Sequence, residues 1–475
     1  MMTKMTAAAR DVIESTPNDL ATQRYLFDMA LQPLDRFDGF THLEQIGGSA
    51  LRYQLSFISY ALSMAQYTRT PAFTGYLAQA QANSIRKMCD KRVWGYWATE
   101  RLVGYGRWNP DPMVFANIMY TGFFAAMLSF YETMNEDRQF DADGSLPMVW
   151  SEKTRFDYGF DKIARAIEHN MRSSPHTLYP CEPHLIYPMC NTIAITGLQG
   201  YDRLHGTELG SDLVEKIADS FTRHKYLLPN GRFQFGLGPF GLKLPPLVSN
   251  DAVMVTWLHG VMPDLAEQTW SILRDVRLRI HSGAIHLRSQ PVDHLDVGSY
   301  RPSDVWTWVN ILCAAREMGD QEAVEAAAAG IAERFCFDYS RDGARKLAGT
   351  STWANTVFAL AQFIGAGSMR ALANGAVPDA WRTGPLLVNA AYPDVLVAKA
   401  VSDGTDLELV LRPGGPGCRR TTLELGRLQP DVSYRVIGAR TSELVADRQG
   451  RALLDIELGD RLEVRVLRSS SNPQT

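Results

Sequence analysis

The chain has 475 residues, 45% of them hydrophobic and 21% charged, with a formal net charge of −4. That length holds one large or two ordinary domains, with the balance of a water-soluble globular protein. The small net charge offers nothing to a polyanion or a membrane surface, and no apolar stretch reaches the length of a membrane span. The first ten residues lack the apolar core of a secretory signal. Six cysteines in a chain this long do not make a disulfide framework. The reading is of a cytoplasmic protein with reduced thiols, no nucleic-acid partner and no membrane span.

Residues 1 to about 370 read as helical throughout. Six apolar, aromatic-rich segments recur, beginning near Arg52, Asn117, Asn191, Asp251, Asp304 and Thr352. Most open with a capping-type residue: Asn117, Asn191, Asn250, Ser303 or Ser351. Starts spaced by roughly 45–75 residues leave room for one more polar helix and two loops between each pair. The stretch Gln321–Arg334 has the amphipathic pattern such a helix needs. Six buried helices alternating with six amphipathic ones predict a mainly α fold, an (α/α)6 barrel over residues 1–375. The inner helices would run parallel and gather Tyr53, Met119, Cys190, Asp251, Trp306, Trp308 and Trp353 at one rim. A stack of helical repeats shares the period, but these segments are too divergent for a regular solenoid.

After about residue 380 the hydrophobic period changes from helical to two. Segments starting at Val395, Leu407, Thr421, Ser433 and Arg461 alternate and are separated by glycine turns. They predict a small C-terminal antiparallel β domain, sandwich-like, over residues 383–468. Residues 469–475 should form a disordered tail.

The stretch 178–191 carries the densest chemistry. Cys181 and Cys190 lie nine positions apart around an aromatic, proline-rich loop. Pro183 and Pro188 forbid a helix between them. Helical periodicity resumes at Asn191, so Cys190 falls at a helix N-terminus, where the dipole favours a thiolate. Cys181 sits at the far end of a loop able to fold back over it, beside Tyr179, Glu182 and Tyr187. Space-filling thiols, or a disulfide between them, are the competing readings.

Other clusters are weaker. His281, His286, Asp293, His294 and Asp296 fit no familiar zinc spacing. The glycines around Gly414 have no following helix to cradle a phosphate. There is no nucleophile elbow and no dinucleotide fingerprint. Asp202 and Arg203 sit near a helix end and read as structural. Glu44, Glu182 and Asp251 are the acids a carbohydrate enzyme would draw on.

Several motifs carry a resemblance. They are Lys-Arg-Val-Trp-Gly-Tyr-Trp at 91–97, Asn-Ile-Met-Tyr-Thr-Gly at 117–122, Cys-Glu-Pro at 181–183 and Cys-Asn at 190–191. Tyr-Asp-Arg-Leu-His-Gly-Thr at 201–207 and Ala-Arg-Glu-Met-Gly-Asp at 315–320 complete the set. In this order, over most of residues 25–320, the chain resembles the linalool dehydratase-isomerase family. The resemblance implies an (α/α)6 barrel that needs no cofactor and no metal. It implies reversible loss of water from a tertiary allylic terpene alcohol, and migration of the hydroxyl between allylic positions. Cys181 and Cys190 would be the acid/base or nucleophilic pair, with Tyr53 near the leaving hydroxyl. An acidic residue of the N-terminal segment also belongs to the family site; Asp28, Asp35 and Asp38 compete for it, and Asp38 is taken. Met119, Phe123, Tyr187, Glu182, Trp257 and Leu237 would contact a small apolar alcohol or alkene. A homo-oligomer is part of the same expectation.

The chain departs from the family pattern in four places. Phe123 stands where the family has a histidine. A tyrosine expected after Gly231-Arg232-Phe233 falls on Gln234 or Leu237. The disulfide of the secreted linalool enzyme has no equivalent, and the β domain is extra. The rival function is a carbohydrate lyase or hydrolase using carboxylates, since many such enzymes join this barrel to a β-sandwich. An open groove with two carboxylates would favour sugar; a closed, dry pocket holding both thiols would favour an alkenol. A non-catalytic binding protein is the third reading.

Overall fold

The apolar segments fold as predicted into helices buried on nearly every face. The computed structural model describes residues 12–43 and 51–469. Its alternating helices are α1 (Pro17–Ala30), α2 (Leu51–Arg69), α3 (Gly75–Met88), α4 (Ile118–Asn135), α5 (Phe160–Ser173) and α6 (Pro188–His205). They continue as α7 (Leu213–Arg223), α8 (Val248–Val261), α9 (Pro263–Leu273), α10 (Val305–Glu317), α11 (Gln321–Arg334) and α12 (Thr352–Phe363). The even-numbered helices are the buried ones. Each packs on the next, α2 on α4, α4 on α6, and so on to α12, which returns to α2 and closes the ring. The odd-numbered helices pack on the outside of this ring. Glu44, residues 1–11 and residues 470–475 lie outside the described residues, and with them most of the stretch read as a disordered tail. Among the described residues no helix is long and apolar enough to cross a membrane.

Local chemistry sets several helix starts. Thr16 and Asp19 form a reciprocal capping box ahead of α1, with Pro17 in its first turn. Ser351 caps α12 by accepting from Ala354 N, and Ser303 Oγ accepts from Val305 N at the start of α10. Three other expected caps do different work. Pro188 opens α6, so Asn191 lies inside that helix. Asn117 takes a left-handed conformation and makes no cap bond. Helix α8 begins at Val248, which puts Asn250 in its first turn. Nor is the region helical throughout: its connections include short hairpins, among them Leu146–Ser151 with Thr154–Tyr158.

Helices α4 and α6 approach closely through small residues. A Cβ at Gly197 would lie 2.7 Å from the backbone N of Ala126 and 2.8 Å from the carbonyl carbon of Ala125. Backbone cannot move aside as a side-chain tip can. Gly197→Ala should therefore destabilise the fold by about 1–3 kcal/mol, the usual effect of overpacking. Denaturant midpoints measure it; an unchanged midpoint would mean the two helices separate without cost.

The C-terminal strands form two antiparallel sheets. Strands β1 (Leu386–Asn389), β2 (Val395–Ser402), β3 (Leu407–Pro413), β4 (Arg419–Gly426), β5 (Ser433–Ile437), β6 (Glu443–Val445), β7 (Ala452–Leu458) and β8 (Leu462–Arg468) follow in order. One sheet runs β2-β3-β8-β5-β6 and the other β1-β4-β7. Leu409, Leu411, Val464 and Val466 from the first share an apolar core with Leu423, Leu425, Leu454 and Ile456 from the second. The sheets join the helices just past the end of α2, where Ala72 N donates to Ala400 O and Leu387 N donates to Ala72 O. That is the end of the ring away from the N-terminal turns of the inner helices.

Candidate active site

The N-terminal turns of α2, α6, α8, α10 and α12 surround a cavity of about 200 Å³. They supply Tyr53, Cys190, Asn250, Trp306 and Trp353 respectively. Cys181, Glu182, Tyr187, Phe235 and the apolar loop residues Leu295 and Val297 complete much of the wall.

The loop before α6 is held so that its cysteine meets the helix. Asn191, one turn into α6, accepts from Tyr179 N through Oδ1 and donates from Nδ2 to the carbonyls of Tyr179 and Tyr187. Ile118 N at the start of α4 donates to Pro180 O, and Cys181 N donates to Leu185 O within the loop. The two thiols thereby lie together on the cavity wall and are buried, Cys181 at 1% and Cys190 at 3% exposure. No disulfide joins them. Burial pushes the Cys181 thiol well above its ordinary pKa, reinforced by Cys190 and the Glu182 carboxylate and opposed by Arg52. Cys181 is therefore a neutral thiol at physiological pH. Asn191→Ala should release the loop, lowering stability by about 1–3 kcal/mol through its unpaired backbone groups. Thermal denaturation would register this, together with faster alkylation of Cys181; unchanged values for both would mean the loop holds itself.

Tyr53 stacks on Trp353, with ring centroids 4.2 Å apart and planes nearly parallel. Its hydroxyl donates to Met119 Sδ at 3.2 Å and accepts from Arg52 at 3.4 Å. Arg52 is itself buried, its guanidinium over the rings of Tyr53 and Tyr96. Met119 therefore touches the site through Tyr53 and is not on the cavity wall. Phe123 lies behind Tyr53, edge-on at 5.6 Å. Trp257 sits one turn below the wall residue Val253, stacked on Phe130 and against Tyr60. Leu237 is paired through its backbone with Ile186, and Phe235, packed on Tyr187, fills the wall beside it. Asp38 is not brought to the site: its side chain is 65% exposed and bridges Arg36 on the surface. Asp28 accepts from Tyr392 of the β region, and Asp35 does not line the cavity.

The other carboxylates singled out in the sequence are committed elsewhere. Asp251 accepts from Arg232 at 2.7 Å and from Phe233 N at 3.0 Å. Asp293 accepts from Ser249 and Gln290. Asp296 accepts from Ser351 and Gly298. The last two pin down the loop that carries Leu295 and Val297; they do not gather with His281 and His286 around a metal. Trp308 turns outward, beneath the Arg334 guanidinium. Asp202 accepts from Thr207, Leu209 and Gly210, which is the structural role expected of it. At the far end of the ring, Glu132, Asp141 and His205 bring ligand-type atoms within 4.8 Å of one another. Arg138 bridges Glu132 there and Tyr201 stacks on His205. This cluster is a charge network tying α4 to α6.

The sequence reading missed Arg52, Asn250, Phe235 and Tyr300 as site residues. For the first two a signal existed, a polar side chain on the first turn of an apolar inner helix. Phe235 and Tyr300 come from loops, where periodicity says nothing about direction.

Among solved structures the chain is similar to an alpha-1,6-mannanase from Salegentibacter sp. HEL1_6. Identity is 11%, covering 76% of this chain and 99% of that one, with a TM-score of 0.42. It is also similar to an unsaturated glucuronyl hydrolase from Bacillus sp. GL1, at 11% identity, 72% and 94% coverage and a TM-score of 0.43. Residues 52–353, which run from the buried arginine beside Tyr53 to the tryptophan stacked on it, match the family described as linalool dehydratase/isomerase. The chain belongs to the linalool dehydratase/isomerase family, a family of enzymes.

Proposed function

We propose that the closed ring is the inner layer of an (α/α)6 barrel, in a catalytic domain spanning residues 1–375. The cavity at its mouth would dehydrate and isomerise a small tertiary allylic alcohol through Cys181 and Cys190. The observation that carries this reading is the pair of buried thiols on the wall of a mostly apolar cavity of about 200 Å³. That volume is below the roughly 300–1,000 Å³ of pockets for drug-sized ligands, and suits a small hydrocarbon skeleton better than a sugar chain. Among the described residues Glu182 is the carboxylate on the wall, whereas glycoside hydrolysis in most families needs two.

In this mechanism the neutral Cys181 thiol gives its proton to the substrate hydroxyl. The carbon–oxygen bond breaks with its electron pair going to oxygen, and water departs. The allyl cation left behind is stabilised by the faces of Trp306, Trp353 and Tyr53. The new thiolate, directly or through Cys190, takes a proton from a carbon next to the cation. An alkene forms and both thiols return to their starting state. When water instead adds to the other allylic carbon of the cation, its extra proton goes to the thiolate and the isomeric alcohol forms. Gas chromatography of reactions with C5–C15 tertiary allylic alcohols tests the reading. The expected products are the matching alkene and primary allylic alcohol; their absence across the panel would overturn it.

A further inference from the structure

Among the polar side chains on the cavity wall that the mechanism leaves unused, Asn250 stands apart. Asn250, in the first turn of α8, lines the cavity at 3% exposure, and neither Nδ2 nor Oδ1 has a hydrogen-bond partner. Buried amides are nearly always paired, because burial removes their water. Partners are not scarce in this turn: Ser249 is bound to Asp293 and Asp251 to Arg232. The helix turns Asp251 away from the cavity, while Asn250 shares a face with Val253, three residues on and also on the wall. The indole Nε1 of Trp353, on the same wall, is likewise buried without a partner. The remainder of the lining is mainly apolar or aromatic.

We propose that Asn250 is the hydroxyl-binding residue of this site, with Nδ2 donating to the substrate oxygen and Oδ1 accepting the hydroxyl proton. The assignment rests on the alkenol reading above and adds a selection rule to it. The site should take an alcohol with a free hydroxyl in preference to a hydrocarbon of the same skeleton. An amide suits the task because it is neutral across the working pH range. It orients the oxygen without withdrawing the proton that Cys181 must deliver.

The test uses the full chain and two probes, linalool and its deoxygenated counterpart 3,7-dimethylocta-1,6-diene, with binding followed by quenching of tryptophan fluorescence. Wild type should bind the alcohol about ten- to a hundred-fold more tightly, the fold-change that corresponds to leaving a buried hydrogen-bonding group unpaired. In Asn250→Leu, similar in size and without hydrogen-bonding atoms, that ratio should collapse toward one through loss of alcohol affinity. The melting temperature should hold or rise, because a buried unpaired amide has been removed. Asn250→Ala should behave likewise with weaker binding of both probes. If the variants keep the wild-type ratio, or if wild type shows no preference, the assignment falls even where the alcohol panel succeeds. If wild type binds neither probe and turns over no alcohol, the alkenol reading falls and takes the assignment with it.

Discussion

Cys181→Ser and Cys190→Ser should each lower kcat by about 10²–10⁴-fold, the contribution of a positioned proton donor or acceptor, while the protein stays folded. A hydroxyl occupies nearly the same space as a thiol, so the two buried positions need not collapse. The change is in acidity: a serine hydroxyl is a far weaker acid than even a thiol raised by burial. It neither gives its proton readily nor forms an anion able to take one back. The pH profile separates this from a merely structural effect. Burial raises the Cys181 thiol well above 9, and the neutral form is the working one. The wild-type rate should hold through the range where an ordinary thiol ionises and fall only beyond it. A variant that keeps near-wild-type kcat, with retained thermal stability, would exclude the two-thiol mechanism. So would a wild-type rate that falls between pH 7 and 9, for the assignment of Cys181 as donor.

Much of this arrangement is legible in the sequence because burial leaves a period. The six inner helices begin within a few residues of where apolar periodicity places them, since a helix buried on nearly every face is apolar on nearly every face. The five longer-patterned strands from Val395 onward show for the corresponding reason. Strands β1, β6 and β7 were not read. Two are only three or four residues long, whereas Ala452–Leu458 alternates apolar Leu454, Ile456 and Leu458 with Asp455 and Glu457, a period the sequence does display. The cysteine loop is legible through its prolines, which fix where α6 starts and keep residues 181–187 out of a helix. What periodicity cannot give is the direction of a side chain at the rim. Asp251 and Asn250 are adjacent and both polar; one turn of about 100° sends the first to Arg232 and the second to the cavity. Asp38 shows the other limit. The resemblance offers Asp28, Asp35 and Asp38 for one acidic role, and the described backbone places the Asp38 carboxylate at the surface beside Arg36.

Arg232→Met should be among the most destabilising substitutions in the chain, by about 3 kcal/mol near pH 8, because it leaves the Asp251 carboxylate buried without its cation. Both partners are almost completely buried. Even beside Arg232, burial holds the Asp251 pKa at about 6, above its ordinary 3.8. A carboxyl raised in the folded state binds its proton more tightly there than in the unfolded chain. Its contribution to stability is fully present below about pH 3.8 and is lost as pH rises through 6. Removing Arg232 raises that pKa further, so the loss continues to higher pH, at up to about 1.4 kcal/mol per pH unit for one proton. The deficit of the variant relative to wild type should therefore be small near pH 5 and large near pH 8. Adding Asp251→Asn to it should remove most of the pH dependence, since no charge is left to bury and the amide oxygen still accepts from Phe233 N. Urea unfolding at several pH values gives all three curves. A deficit of equal size at pH 5 and pH 8 would mean that lost packing around the arginine, and not the stranded carboxylate, is what destabilises. The pair also bears on the cavity, because Asp251 fixes the backbone two residues before Phe235. The single variant should therefore bind alkenols more weakly at pH 8 than at pH 5, in step with its stability.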